Sequence, residues 1–537
     1  LKCWHERAHC KAHFPKQSCC GRPKNFERRK INWSLKNFIK QSVRILTGWR
    51  AGWKLTVLPK WSCCMKHFIR QGFRRMNWRK YFTKMENASA DEMVFGQTKH
   101  PVKMGLDQVM GGGDVVPNIK VAPAEGSEES IDGLEATSKN IAFAACERAA
   151  AIGLPAMQIE TEHVQQQSIS REASERCTAV TFEELEKLHD KFGTKVSMMS
   201  TVADMREEEN GLRGSEFDIA MDESFEACAQ NGASMLCIET VGGKVVSDYG
   251  ISRGDARAIL YGIGVLGSID MEYMWTKIVD IAKRNNVVPG GDTDCAQANT
   301  AMFLAGGLTS KNVSHTIAAV ARAIAGARSL VAIECGAQGP TKDCGYENPI
   351  VKSIASVPIC AEGKNATCAH SDLMGNLTAA VCDVWSNESV YNREEMGGPT
   401  PGVWLQSLGC ECALMNTATQ IGTNKQLRDT YVLADKYRDP QGVILAYDNA
   451  YKIGEAITAE GEDIYLRSRA AAIRAMELIN DAVDQNRILL TRFERDTLDS
   501  TMKTYEQLPD DKDKFIKTCI KRYGRKVKEH DPSQYEL

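Results

Sequence analysis

From about residue 135 onward, short apolar runs alternate with longer stretches of helical periodicity. The runs at 156–159, 195–199, 235–238, 287–288, 330–333 and 357–360 predict strands, being short and bounded by turn-forming or polar residues. Between them, 216–231, 255–265 and 314–328 carry apolar residues at helical spacing. The last of these, SHTIAAVARAIAGAR, is small and apolar enough to pack closely on a sheet. Such alternation predicts a parallel sheet covered by helices. A polar residue recurs just past the strands, which favours a (β/α)8 barrel with its chemistry at the carboxyl ends of the strands. A doubly wound open sheet is the alternative, but it normally shows a Gly-rich phosphate turn after its first strand, and none is present there.

The barrel is expected over residues 136–386. Residues 76–135, with runs such as MGGGDVVPN and APAEGSEES, read as an extended lead-in with little regular structure. From 387 to 537 the chain turns helical and rich in Leu, Met and Ala, predicting helical cover and a C-terminal segment; 465–486 is a long amphipathic helix.

Composition changes this picture at one end. The formal net charge of −2 averages two unlike pieces, because residues 1–80 hold 21 Lys+Arg against 2 Asp+Glu, with six of the nine Trp and six of the 19 Cys. The remainder holds 46 basic and 67 acidic residues, a body that offers no electrostatic footprint for nucleic acid. Residues 1–75 are therefore expected to be a basic extension foreign to the fold, upstream sequence translated in frame. Met76 is then the natural first residue and Met85 the second choice; a basic nucleic-acid or membrane arm and a transit peptide are the alternatives. No run of 18 or more uninterrupted apolar residues occurs, so no membrane-spanning helix is predicted. The other 13 cysteines are odd in number and without spacing pattern, and read as reduced thiols of a cytoplasmic protein.

Three segments place potential metal ligands in Gly-rich sequence after apolar runs: Glu239 in CIETVGGK, Cys295 in GDTDC and Cys344 in TKDCGY. Ligands delivered singly from separate strand ends suit a catalytic zinc with an open position, whereas structural zinc usually takes paired CxxC hooks. Taken alone, each cysteine is more simply a buried thiol, and Cys335 is a rival ligand that spacing does not exclude. Glu239 could be a ligand, a general base or a solvated residue. Glu160, Glu162 and His163 in IETEHV form a second cluster suited to acid–base work, with a surface-exposed βα loop the alternative, while Asp292 and Asp294 beside Cys295 suit carboxylates that fix a metal ligand or its water. His370 and Cys368 in CAHSD make a further pair, with helix capping by Ser371 or Asp372 the plainer explanation.

Three motif matches carry less. HERAH at 5–9 fits HExxH but has no apolar helical face behind it. GISRG around Ser252 fits GxSxG, yet the preceding VVSDY is a poor buried strand. GIGVLG at 262–267 follows helix-like sequence, and its glycines read as close packing.

The runs ADEMVFGQTKHPV, IETEHVQQ, IGVLGSIDMEYMW, GDTDCAQANTAMF, HTIAAVARAIAGARSLVAIECGA, GKNATCAHSDLMGNL, CDVWSNESV and YRDPQGVILAYDNA closely resemble the zinc subunit of methanol:corrinoid methyltransferases. The resemblance runs from about Tyr81 to Leu537 and does not extend over residues 1–75. It implies a (β/α)8 barrel and a zinc held by Glu239, Cys295 and Cys344, with Cys335 a nearby thiol. It implies methyl transfer from methanol to the Co(I) corrinoid of a partner protein, with hetero-oligomer formation. The segment 198–200 and the 391–410 region depart from the family pattern. Glu160, Glu162, Asp292 and Asp294 are the candidates for handling the proton that the departing oxygen needs. Another methyl donor on the same fold, or a non-catalytic zinc scaffold, are the alternative functions.

Overall fold

The computed structural model describes residues 79–206, 211–308, 312–363, 372–390 and 393–537. The chain divides into two units, Leu1–Met76 and Asn77–Leu537, and the described residues all belong to the second. The extension call on 1–75 and the HERAH match lie outside them, as do His370 and Cys368.

A hairpin comes first, β1 (Gln97–Met104) with β2 (Gln108–Gly112). Seven parallel strands follow: β3 (Val116–Val121), β4 (Ala156–Glu162), β5 (Lys195–Val202), β6 (Met235–Ile238), β7 (Val288–Pro289), β8 (Cys360–Glu362) and β9 (Val384–Val390). Their order, β7-β6-β5-β4-β3-β9-β8, is that of a barrel opened between its fifth and seventh strands. An irregular segment fills the gap, where Gln338 and Gly339 N–H donate to the Pro289 and Gly290 carbonyls at 2.8 and 2.9 Å. The architecture is a TIM-type (β/α)8 barrel, as the alternation predicts.

Helices α1 (Ile131–Ile152), α2 (Arg171–Phe192) and α3 (Glu216–Gln230) each start where a serine side chain accepts from the first turn: Ser130, Ser170 and Ser215. Gly153 and Gly193, both left-handed, end α1 and α2 and turn the chain into the next strand. Further on lie α4 (Lys244–Arg253), α5 (Ser268–Asn285), α6 (His315–Cys335), α7 (Asn348–Ala355) and α8 (Thr400–Gln420).

The period of two along the strands sorts side chains between two environments. Ile119, Met157, Ile159, Val196, Met198 and Trp385 face outward into the core beneath α1, α2 and α8. Val116, Met199, Met235, Cys237, Cys360 and Val384 face inward and meet Val102, Met104 and Met110 of the hairpin. The hairpin thus plugs the amino end of the barrel with apolar side chains. The inward positions nearer the carboxyl end are polar, among them Lys120, Glu160 and Glu362, all buried.

Several expectations need correction. The lead-in 76–135 contains the hairpin and the central strand β3, so the barrel begins at Val116 rather than 136. β9 extends to Val390, past the expected boundary at 386. The predicted strand at 330–333 lies within the last two turns of α6. Every residue from Thr316 to Cys335 is buried, so α6 shows no amphipathic period, and a short apolar run within it cannot be told from a buried strand. α6 is also long and apolar enough to cross a membrane, yet its apolar window lies wholly inside the molecule; it is the core helix. The strand expected at 357–360 is shifted to Cys360–Glu362. The helix expected at 255–265 is a short α-turn, Ala256–Ile259, running into a π-helical segment, Leu260–Gly267. There the GIGVLG glycines do serve packing: a Cβ on Gly264 would come 2.6 Å from the Ser468 Cβ.

Beyond the barrel the chain is mostly helical to Tyr523, as expected. The long helix Ile464–Asp484 lies against α6, and α8 covers α1 and β3.

Candidate metal centre

Glu239 directly follows β6, Cys295 opens a π-helical turn after β7, and Cys344 belongs to the segment that replaces the sixth strand. All three emerge at the carboxyl end of the barrel. One donor atom from each lies within 4.8 Å of the other two, so the set could hold one metal ion. Cys295 and Cys344 are buried and Glu239 is half-buried. The two sulfurs are joined as a disulfide in this structure. The same proximity, with both thiols reduced, gives two soft donors and one hard one facing a single point.

The electrostatics around this point favour anionic donors. The buried Lys342 ammonium lies 3.1 Å from Cys344 Sγ and 3.5 Å from Glu239 Oε2. It also pairs with Glu162 Oε1 at 3.6 Å and Asp343 Oδ1 at 3.2 Å. Burial and neighbouring Lys120 act to lower the Lys342 pKa, but the carboxylates of Asp343, Glu162 and Glu239 outweigh them and hold it well above the usual value. Lys120, on β3, bonds Glu162 Oε2 at 3.1 Å and Asp343 Oδ1 at 3.5 Å. Two ammonium groups thus interleave with the acids of the mouth. A thiolate beside an ammonium costs less to form than one in apolar surroundings. By contrast, burial pushes the Cys335 thiol up to about 12 at the end of α6; it stands apart from the donor cluster as an inert thiol.

The four acid candidates fall into different settings. Glu160 is fully buried inside the barrel and accepts from Asn118 Nδ2 at 3.0 Å and Thr201 Oγ1 at 2.9 Å. Burial, reinforced by the Asp343 carboxylate, pushes its pKa up to about 7. Glu162, two residues on and also inward, is the partly exposed partner of both lysines. Asp292 is a bracket: it accepts from Thr240 N at 3.3 Å, Thr240 Oγ1 at 3.0 Å, Trp275 Nε1 at 2.9 Å and Thr293 N at 2.8 Å. It thereby ties the Glu239 loop to the Cys295 loop. Asp294 is fully buried, with Arg328 at 3.5 Å. Burial raises both aspartates to about 6.

His163 does not join the cluster. Its ring lies near Ser168 Oγ and Cys228 Sγ, and burial lowers its pKa to about 3, so it is a neutral packing residue. Ser252 sits near the end of α4, exposed, with its hydroxyl donating to the Tyr249 carbonyl; no nucleophile elbow exists there.

Sequence reasoning missed Lys120, Lys342, Asp343 and the pair Tyr346–Glu362, whose hydroxyl–carboxylate bond is 2.6 Å. Lys342 and Asp343 immediately precede Cys344 and could have been noticed. Lys120 was hidden because its strand was read as irregular lead-in.

Fold and site together define a class: a TIM-type barrel whose mouth gathers two sulfurs and a carboxylate among interleaved lysines and acids. Within that class, the chain belongs to the MtaB family, methanol-cobalamin methyltransferase B subunit, which it matches over residues 79–536. It is 47% identical over 458 residues to the methanol–corrinoid protein co-methyltransferase of Methanosarcina barkeri (strain Fusaro / DSM 804), covering 85% of this chain and 99% of that protein. Among solved structures it is similar to the methanol:cobalamin methyltransferase complex MtaBC from Methanosarcina barkeri. The TM-score there is 0.83 at 47% identity, over 85% of this chain and all of that one.

Proposed function

We propose that this chain transfers the methyl group of methanol to the Co(I) corrinoid of a separate carrier protein, using a zinc ion held by Glu239, Cys295 and Cys344. One observation carries the reading: in a member of this family, two cysteines and a glutamate from three separate segments bring their donor atoms within 4.8 Å of one another. The donor set suits zinc, which accepts thiolate and carboxylate, and three protein ligands match an open catalytic site better than a closed structural one. Both thiols must be reduced, which a cytoplasmic setting supplies. Use of methanol in methanogenesis or anaerobic methylotrophy is the physiological setting this implies.

In the overall reaction the C–O bond breaks with both electrons going to oxygen. Co(I) supplies the pair that forms the Co–CH3 bond and becomes Co(III), and one proton completes water. Zinc, when bound, supplies Lewis acidity where charge develops on the departing oxygen. The chain's own residues do the rest. Two thiolates and a carboxylate would make the donor set strongly anionic; Lys342 lies against two of the three ligands and offsets that charge. The proton store is Glu160, whose burial, with Asp343 beside it, raises its pKa to about 7 so that the carboxyl keeps its proton well above the usual carboxylate range. Glu162 lies between both lysines and the rim. Asp292, saturated by four donors, holds loops in place and is a poor proton carrier. The apolar hairpin plug keeps water from the amino end, so the carboxyl-end mouth is the side on which a corrinoid carrier must be received.

The test is metal content and methyl transfer in Cys295→Ser and Cys344→Ser proteins. Both variants should fold, lose stoichiometric zinc and lose transfer from methanol. Zinc retained with full transfer would overturn the ligand assignment, and transfer from a methoxylated donor but not from methanol would overturn the substrate.

A further inference from the structure

Three ligands from three separate loops make a site only if something fixes the loops relative to one another. The residues that do so converge on one helix. α6 carries two fully buried arginines, Arg322 and Arg328, six residues apart. A buried guanidinium is costly unless its donors are satisfied, so what these two contact is informative.

Arg328 joins the Glu239 loop to the Cys295 loop. Its Nη2 donates to the Thr240 carbonyl and, at 2.9 Å, to Thr240 Oγ1, one residue past Glu239. Its Nη1 donates to the Thr293 carbonyl at 3.3 Å and lies 3.5 Å from Asp294 Oδ1, flanking Cys295. Arg322 joins the Cys295 loop to the Cys344 loop through Glu347 and Asn299. Arg322 Nη1 donates to Glu347 Oε2 at 2.7 Å, while Glu347 Oε1 accepts from Asp294 N at 2.6 Å and from Ser329 Oγ at 2.8 Å. Arg322 Nη2 donates to Asn299 Oδ1, and Asn299 Nδ2 donates to the Cys344 carbonyl at 3.0 Å. Room for Arg328 is built in: a Cβ on Gly267 would lie 2.8 Å from its Nε.

We propose that Arg322 and Arg328 are positioning residues that set the spacing of Glu239, Cys295 and Cys344, Arg328 by direct bonds and Arg322 through Glu347 and Asn299. The inference rests on the metal reading above. The polar groups behind metal ligands typically govern affinity by about 10–100-fold. A lysine at 328 has one point of charge and cannot serve both carbonyls as the guanidinium fork does.

The experiment measures Co2+ affinity of the reduced full-length protein from its thiolate-to-Co2+ charge-transfer absorption, alongside thermal melting and methyl transfer. The variants are Arg328→Lys, Gly267→Ala and Asn299→Ala. The control is Arg428→Lys, an equally buried arginine that bonds the Asp91 and Met93 carbonyls. Arg328→Lys and Gly267→Ala should weaken Co2+ binding at least about tenfold, and Asn299→Ala should do so with the fold least disturbed. Arg428→Lys should lower the melting temperature and leave Co2+ affinity unchanged. If the folded site variants bind Co2+ as wild type does, or if Arg428→Lys weakens binding as much as they do, the arginines are ordinary core residues and the proposal fails. Should Arg328→Lys not fold, Gly267→Ala and Asn299→Ala decide the matter by the same criterion. A wild-type protein without thiolate–Co2+ absorption would instead defeat the metal reading itself.

Discussion

At the residue scale, the mouth depends on how a few buried charges are partnered. Glu160 shows what an imperfect partner costs. Its carboxyl titrates near 7 in the fold, because burial penalises the charged form and Asp343 repels it, against about 4.3 for a free glutamate. The group is protonated in both states at low pH. As pH rises through the free value towards 7, the unfolded chain ionises first, so stability falls by roughly 4 kcal/mol across that window. Asp343 has the opposite shift, down to about 2 through Lys120 and Lys342 against its own burial; its contribution is lost only as pH falls further, below that window. Glu160→Gln should therefore resist urea better than wild type at pH 8 and gain little at pH 5, as measured by the denaturation midpoint at each pH. The same variant should keep its metal yet slow methyl transfer by about 100-fold, the scale of a lost acid–base group. Equal pH slopes in both proteins would remove Glu160 from this role. Glu239, Cys295 and Cys344 were singled out in the sequence because each stands in Gly-rich sequence after an apolar run, while the choice of Cys344 over Cys335 rested on the family resemblance. Lys120 and Lys342 were not, because a lysine in sequence reads as a solvated surface residue, and only the fold shows both buried.

At the element scale, legibility followed amphipathicity. β4, β5 and β6 were visible because short apolar runs end in turn-forming residues, and Ile464–Asp484 because one face is apolar. β3 was missed: VPNIKV carries Asn118 and Lys120 on its inward face, so it lacks the apolar signature of a buried parallel strand. The end of α6 was misread for the opposite reason, being apolar all round. The π-helical segment Leu260–Gly267 offers a direct check of packing by small residues. Gly264→Ala would place a methyl against Ser468 and should cost about 1–3 kcal/mol, read by thermal or urea unfolding. Gly306→Ala, where an added Cβ meets nothing within 4 Å, should be neutral or stabilising by up to about 1 kcal/mol. If the two substitutions behave alike, close approach is not what the glycine at 264 provides.

At the scale of the whole molecule, the barrel has one closed end and one chemical end. The hairpin closes the first, and Met110, fully buried, sits at its centre of contact with the strands. Met110→Ala should cost about 2–5 kcal/mol, measured by urea unfolding. A smaller effect, under about 1 kcal/mol, would mean that the plug is loosely packed. The alternation of strands and helices made the barrel class readable from sequence, but the plug could not be read, because its strands pair only with each other and lie in Gly-rich sequence. The sixth strand's position was likewise invisible: an irregular segment fills it, and that irregularity is what brings Lys342, Asp343 and Cys344 into the mouth. The reaction proposed above needs a zinc ion held there by Glu239, Cys295 and Cys344 to move methyl from methanol to cobalt. The most direct measurement is methanol-dependent methylation of a Co(I) corrinoid carrier by reduced protein as isolated, after removal of metal by a chelator, and after return of one equivalent of Zn2+. Transfer should vanish on chelation and return in proportion to zinc bound, reaching its maximum at one ion per chain. Full transfer by metal-free protein would contradict the account.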